Sequence, residues 1–240
     1  MDTIPVDLEK LLNPTPSAYV LKSEVPEMRA KMLRDAACSL GVRGGLNWRS
    51  QDIRRSLELS SGSLDKFSFQ SFVTADGMLP PVVTEQQDVV KQDDSLSKRS
   101  AGVIYRMIQP ARLVMQTPTW RDYLYVGLAD LSGRIEMPHE SLLPVSDGEK
   151  TVWRAAVQEC WSTGVAQADV VFEENLNRLK RDYAGMIRYR MLLANGMADQ
   201  IVVASETRPV AGDSQEMAID SRTVSITRSG ALQPDQSKWK

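Results

Sequence analysis

Periodic apolar positions predict two helices near the start of the chain. Pro26 suits a first helical position, and apolar residues recur at intervals of three or four after it, which predicts a helix over about 26–40. The segment Arg43-Gly44-Gly45 predicts a flexible turn. A second amphipathic helix is expected after this turn, with Trp48 on its apolar face and its end at Ser60.

A much longer apolar stripe in the second half predicts one long helix with marked ends. Ser146 and Glu149 fit the S-x-x-E capping box at its start, and Asn195-Gly196 fits a C-terminal stop. Between them, apolar residues recur every three or four positions. Gly164 and Gly185 are candidate kinks, because glycine weakens a helix interior.

Shorter segments are typical of strands, which are expected over 67–73, 201–204 and 223–227, whereas 103–115 is ambiguous between helix and strand. Asp76-Gly77 predicts a hairpin-type turn after the first of them. Pro80 and Pro81 cannot donate to a ladder, so their segment belongs at a sheet edge or in an extended crossing. Pro110 predicts two short strands or one bent strand, and residues 119–124 predict a short helix behind an N-cap threonine.

These elements predict an α+β fold class, a helix-rich single domain whose long C-terminal-half helix packs on a small mixed or antiparallel sheet. Residues 1–25 contain several prolines and few periodic apolar positions, which predicts an extended N-terminal arm. Residues 26–228 are expected to form the single core domain. Residues 229–240 are expected to be a mobile tail.

Composition places the chain among ordinary globular proteins and limits its partners. Of its 240 residues, 42% are hydrophobic and 25% charged, and 29 basic residues nearly balance 31 acidic ones. No overall field therefore steers it onto a polyanion, and any nucleic-acid contact must be a local patch. No apolar run is long enough to cross a membrane, and the start lacks a secretory signal, so a cytoplasmic protein and the mature part of an exported protein both stay open.

Cysteine and histidine are too scarce for a structural zinc site. One histidine and two cysteines cannot supply the roughly four ligands of a zinc tetrad, and no cofactor is expected. Cys38 and Cys160 lie far apart in the sequence, and no spacing rule pairs them. Free, buried thiols are favoured over a disulfide, because an unpaired cysteine behaves as a small hydrophobic residue.

The residues do not assemble a recognisable catalytic motif, so the chain is not expected to be an enzyme. His139 follows Pro138 in a loop without a local nucleophile, and the pattern favours an exposed loop histidine. A hydrolase that uses His139 is the rival hypothesis.

A basic, aromatic-containing part of the long helix is the best alternative nucleic-acid patch. Its basic residues are Arg178, Lys180, Arg181, Arg188 and Arg190. Cations near a helix C-terminus also complement the helix dipole and can pair with Asp182 or Glu174. A solvated or protein-facing helix is therefore favoured over nucleic-acid binding.

A set of short segments in this order resembles a known family. The segments are 34–37, 41–49, 64–65, 79–83, 118–124, 142–144, 152–153, 161–169 and 177–190, which include Gly41-Val42-Arg43-Gly44-Gly45-Leu46-Asn47-Trp48-Arg49, Leu79-Pro80-Pro81-Val82-Val83 and Pro118-Thr119-Trp120-Arg121-Asp122-Tyr123-Leu124. Together they are similar to the DotC family of type IVB secretion and conjugation systems, whose plasmid-encoded relatives are called TraI.

The resemblance implies a structural role outside the cytoplasm. It implies a periplasmic lipoprotein of the outer-membrane core complex that helps assemble or localise other core subunits, with DotD-like and DotH-like proteins as partners. It implies no small-molecule substrate, and nucleic acid is not an expected partner. The expected link to the outer membrane is an N-terminal lipid absent from this chain, so we expect Met1 to stand in place of the lipid-bearing end. The resemblance then implies that the proline-containing arm, residues 1–25, is a tether between the lipid and the core domain.

Two segments are the expected protein interface, and their residues are Arg43, Gly44, Gly45, Trp48, Leu79, Pro80 and Pro81. Glycines and prolines there fix backbone shapes that a plain helical core does not need. The alternative is that both segments simply make tight internal turns.

Overall fold

A computed structural model gives the fold of the protein. It describes residues 3–5, 8–13, 25–92, 98–129, 134–212, 215 and 217–240. Most of the predicted N-terminal arm, residues 1–25, lies outside these ranges. None of the helices in the described part of the chain is both long enough and apolar enough to span a bilayer.

The predicted α+β class is confirmed, with a long helix packed against small antiparallel sheets. Contacts group the chain into two compact units, one from 1–66 and 122–176 and the other from 67–121 and 177–240. The prediction of one core domain over 26–228 stays a prediction.

Helices dominate the first unit. They are α1 (Leu8–Leu12), α2 (Glu27–Leu59), α3 (Ser61–Leu64) and the part of α5 (Asp147–Ala194) up to residue 176, beside the pair β1 (Thr3–Pro5) and β6 (Arg134–Glu136). The predicted turn at Arg43-Gly44-Gly45 is wrong, because α2 continues through it. Both glycines are buried against the neighbouring helix, and that packing offsets their poor helix propensity.

The start of α5 follows its predicted capping chemistry. The Glu149 N–H donates to Ser146 Oγ at 3.2 Å, and the Glu149 carboxylate accepts from the Val145 N–H at 2.7 Å and from Arg29 at 3.0 Å. Burial alone would raise the pKa of Glu149, but the bonds from Arg29 and the backbone outweigh it and lower that pKa. Nearby, the Trp153 indole donates to the Leu11 carbonyl at 3.0 Å inside the core of this unit.

The second unit is built from hairpins and the C-terminal part of α5. Its elements are β2 (Met78–Leu79), β3 (Val82–Gln92), β4 (Lys98–Gln109), β5 (Arg112–Leu113), β7 (Val202–Gly212) and β8 (Met217–Arg228). The described strands pair as β2–β5, β3–β4 and β7–β8, all antiparallel. Two separate strands flank Pro110, which decides between the alternatives that the sequence left open for 103–115, and the expected short helix is α4 (Trp120–Leu124).

The predicted strand over 67–73 is wrong. Phe69–Ser71 form a single 3-10 turn, and the Ser68 side chain accepts from the Gln70 N–H at 3.1 Å. The Phe69 and Phe72 rings pack edge-on against Tyr183, at centroid distances of 5.5 and 5.0 Å. Both rings pack against Tyr183, so these side chains lie on the same side of the backbone, whereas in a strand successive side chains would point to opposite faces.

The end of α5 also matches its prediction. Gly196 has φ of 71°, its N–H donates to Leu193, and the Met197 N–H donates to Leu192 at 2.8 Å, which is a Schellman stop. In the expected tail, the Lys240 N–H donates to the Asn195 carbonyl at 2.9 Å. This bond places the end of the described chain beside the end of the helix.

Candidate interaction surfaces

Three glycines let α2 and α5 cross at very short range in the first unit. A Cβ atom at Gly41 would lie 2.7 Å from the carbonyl oxygen of Val157, closer than real Cβ contacts come. A Cβ atom at Gly45 or at Gly164 would likewise meet the backbone of the opposite helix, at Trp161 and Val42 respectively. Glycine permits this close backbone approach. The spacing of four between Gly41 and Gly45 was the sequence signal for it, and Gly164 packs rather than interrupting the helix.

A disulfide joins the same two helices. Cys38 of α2 and Cys160 of α5 are bonded, with their Cα atoms 5.0 Å apart. The prediction of free, buried thiols is therefore wrong. Sequence separation says little about distance once two helices lie side by side, and the Gly41 crossing one turn away brings these cysteines together.

The first predicted interface segment is divided between inside and outside. Gly44 and Gly45 are buried at the helix crossing, inside a continuous helix, so they form neither an exposed interface nor the tight internal turn of the alternative. Arg43 is exposed and its guanidinium bonds to the carbonyl of Glu136 at 3.4 Å. Trp48 is 45% exposed, and its ring centroid lies 6.0 Å from that of Trp161. Trp48 is thus the aromatic side chain of this segment that remains available to a partner.

The second predicted interface segment is internal. Leu79, Pro80 and Pro81 are all buried in the second unit, where Leu79 ends the short strand β2 and the two prolines precede the start of β3. Pro80 and Pro81 form the connection between these strands, where a missing N–H breaks no ladder. Burial supports the alternative of a tight internal segment, and a partner cannot reach these side chains in this fold.

The predicted basic patch is largely engaged within the second unit. Arg181 pairs with Asp182, whose side chain is 3% exposed, at 2.7 Å. Arg188 pairs with Glu85 at 2.9 Å and also donates to the Val83 carbonyl. The bond from Gln87 and then the one from Arg188 lower the pKa of Glu85.

The remaining basic residues differ in their surroundings. Arg190 donates to the Ser71 carbonyl, and its guanidinium lies 4.9 Å from the centroid of the Phe72 ring. Arg178 is half-buried, whereas Lys180 is exposed. Because Arg181, Arg188 and Arg190 bind partners inside their own unit, the contacts favour a structural use of this segment over nucleic-acid binding.

His139 caps a short turn. Its Nδ1 accepts from the Ser141 N–H at 3.2 Å and lies 3.0 Å from the Ser141 hydroxyl, at the start of the 3-10 helix Glu140–Leu142. The ring is exposed. Within the described ranges, no group of three or more His, Cys, Asp and Glu side chains is arranged to hold a metal ion.

Two long hairpins are the exposed features that the sequence did not identify as surfaces. The pair β7–β8 has exposed apolar side chains near its tip, at Val210, Met217 and Ile219. The pair β3–β4 exposes Val103 and other apolar residues in the same way. An isolated two-stranded hairpin is marginally stable in water, so ribbons of this length are typical of surfaces that a partner completes.

The comparisons with known proteins agree with the resemblance of the short segments. A family model described as type IV secretory system, conjugal DNA-protein transfer, matches residues 27–240. No curated protein matches the chain.

Proposed function

Because the chain belongs to the TraI family of the type IV secretory system, which serves conjugal DNA-protein transfer, we propose that it is a structural subunit of the outer-membrane core complex of a type IVB secretion or conjugation system. In this role it helps assemble or localise other core subunits, and it acts without catalysing a reaction. The family match over 27–240 is the observation that carries the proposal. The DotD-like and DotH-like subunits are its proposed partners.

The disulfide supports a site of action outside the cytoplasm. Disulfides persist in the periplasm and other oxidising compartments and are rare in the reducing cytosol. The bond between Cys38 and Cys160 joins the two longest helices of the first unit, so this unit depends on oxidation for its covalent structure. We therefore place the working protein at the periplasmic face of the outer membrane, with an N-terminal lipid as the proposed anchor.

The exposed tryptophan supports a scaffolding role. Interfaces are enriched in tryptophan and arginine, and a few such residues carry most of the binding energy. Trp48 exposes nearly half of its surface while Trp161 supports its ring from below. Beside it, Arg49 is held by Asp169 at 2.7 Å and by Asp52 at 2.6 Å, and these carboxylates raise its pKa. Trp48 is therefore presented on a well-ordered surface.

The proposal is tested in cells that carry the parental transfer system and lack this gene. Complementation with the tagged product of the native gene, including its own N-terminal region, should place it in the outer-membrane fraction, and the DotD-like and DotH-like subunits should co-purify with it. Trp48→Ala should reduce their recovery about tenfold, a typical loss for one central interface residue, and leave the circular dichroism unchanged. Leu59→Ala, at an exposed apolar residue of the same helix, is the matched control and should have no effect.

Two results would contradict the proposal. One is recovery of the tagged protein in the cytoplasmic fraction. The other is a deletion of the gene that leaves both transfer and the membrane location of the other subunits unchanged.

A further inference from the structure

The strand β4 has a long free edge. Among the described strands it pairs only with β3, and the pairing keeps one constant register from Lys98 opposite Gln92 to Met107 opposite Val83. In an antiparallel pair, alternate residues direct their N–H and C=O groups away from the partner strand. The β4 segment Lys98–Met107 therefore presents a row of outward hydrogen-bonding groups that is interrupted at Gly102, opposite Asp88, and ends at the bulge beside Ile108.

The other three long strands carry features that interrupt strand addition. Asp88 in β3 and Asp220 in β8 have left-handed backbone, with φ of 49° and 55°. Pro209 in β7 has no N–H to donate. Prolines and local irregularities of this kind are how natural edges avoid pairing with other chains. Lys98–Met107 contains no proline and no non-glycine residue with left-handed backbone, and its one interruption is the unpaired Gly102, so β4 is the long edge most open to a further strand.

An apolar groove lies beside the face of β4 that carries Tyr105. Tyr105 lines a groove of about 390 Å³ together with Ile187 and Met191 of α5, which are 41% and 60% exposed. The Arg188–Glu85 ion pair forms another part of its wall. A strand added beside Tyr105 continues this face, and its alternate side chains can cover the exposed apolar residues.

The charge of β4 indicates what kind of strand fits. The part of the strand over 100–107 contains Arg106 and no acidic residue. Arg106 is exposed, and no described acidic side chain forms an ion pair with it. By contrast, Arg208 and Arg222 on the other hairpin are paired with Glu206 and Asp76. The positive charge of the strand favours an acidic partner.

We propose that the edge Lys98–Met107 binds, by strand addition, an extended segment of another protein in which apolar and acidic residues alternate. Backbone hydrogen bonds to β4 supply the affinity, the apolar residues face the Tyr105 groove, and the acidic residues meet Arg106. The inference rests on the proposed scaffolding function only for the identity of the partner as another subunit.

The test uses the whole chain and a fluorescein-labelled decapeptide that alternates valine with glutamate. Fluorescence anisotropy should show saturable binding, and hydrogen exchange should slow at the outward amides of β4. A peptide with lysine in place of glutamate should not bind. Arg106→Glu should weaken binding of the glutamate peptide about tenfold, because like charges then face each other. Arg228→Glu, at an exposed arginine of β8, is the matched control and should bind as the parent does.

Several outcomes would overturn the inference. They are no saturable binding, equal binding of the lysine peptide, protection on β7 or β8 instead of β4, and self-association in which a second copy already occupies the β4 edge. If the peptide does not bind but the core subunits still co-purify, only this inference is wrong. If the peptide binds but the core subunits do not co-purify, only the proposed assembly role is wrong.

Discussion

Adding one methyl group at Gly41 probes the helix crossing of the first unit most directly. The Gly41→Ala Cβ atom would lie 2.7 Å from the Val157 carbonyl oxygen, and ordinary contact begins near 3.4 Å. The helices must therefore part by about 0.7 Å at this point. Because Cys38 lies one turn before Gly41 and is bonded to Cys160, the disulfide resists that separation.

The expected cost follows from the lost contact. A radial gap of about 0.5–1 Å removes a quarter to a half of the dispersion energy between the atoms concerned. Overpacking of a tight core typically costs about 1–3 kcal/mol, and alanine recovers up to about 1 kcal/mol through its better helix propensity. We expect Gly41→Ala to lower the free energy of unfolding by about 1–2 kcal/mol.

Urea unfolding followed by circular dichroism and tryptophan fluorescence measures this change. Gly62→Ala is the matched control, because a Cβ atom there meets no atom within 4 Å, and it should be neutral or slightly stabilising. The loss of unfolding free energy caused by Gly41→Ala should be smaller when the disulfide is reduced, since the helices can then separate. A neutral or stabilising Gly41→Ala under oxidising conditions would refute the reasoning, as would a loss that reduction leaves unchanged.

Two further predictions concern the disulfide and a buried hydroxyl. The bond between Cys38 and Cys160 closes a separation of 122 residues. Reduction should therefore lower the free energy of unfolding, measured in urea, by about 2–5 kcal/mol. The stability of a Cys38→Ala/Cys160→Ala protein should not respond to reductant. Burial, followed by the charge of Asp199, raises the pKa of Tyr189 from 10.0 to about 12. The folded protein then holds the Tyr189 proton more tightly than the unfolded chain does. The stabilisation that this proton gives to the folded state is complete below pH 10 and is lost between pH 10 and about 12. Chemical unfolding across that range should show a decline of roughly 2–3 kcal/mol, and Tyr189→Phe should remove it.

Features with local chemistry could be predicted from the sequence. Both ends of α5 follow from residues within one turn of each end, Ser146 and Glu149 at the start and Gly196 at the finish. Pro110 similarly separates β4 from β5, because a proline lacks the N–H that a continuing ladder needs. The family resemblance, carried by an ordered set of short segments, was confirmed over 27–240.

Features that depend on distant partners could not be predicted in this way. Gly44 and Gly45 are equally suited to a turn and to a close crossing, and the choice depends on α5, more than a hundred residues later. The pairing of Cys38 with Cys160 depends on the same crossing. Leu79-Pro80-Pro81 illustrates the same difficulty, since prolines that fix a backbone shape serve an interface and an internal connection equally well.

The position of the two cysteines has a consequence for biogenesis. In a chain that crosses a membrane from its N-terminus, Cys38 arrives well before Cys160 and waits for 122 further residues to be delivered. While Cys38 waits, its thiol can bond with a cysteine of another molecule instead of with Cys160. Crosslinked dimers should therefore accumulate when translocation is crowded, and slower synthesis should favour the native bond.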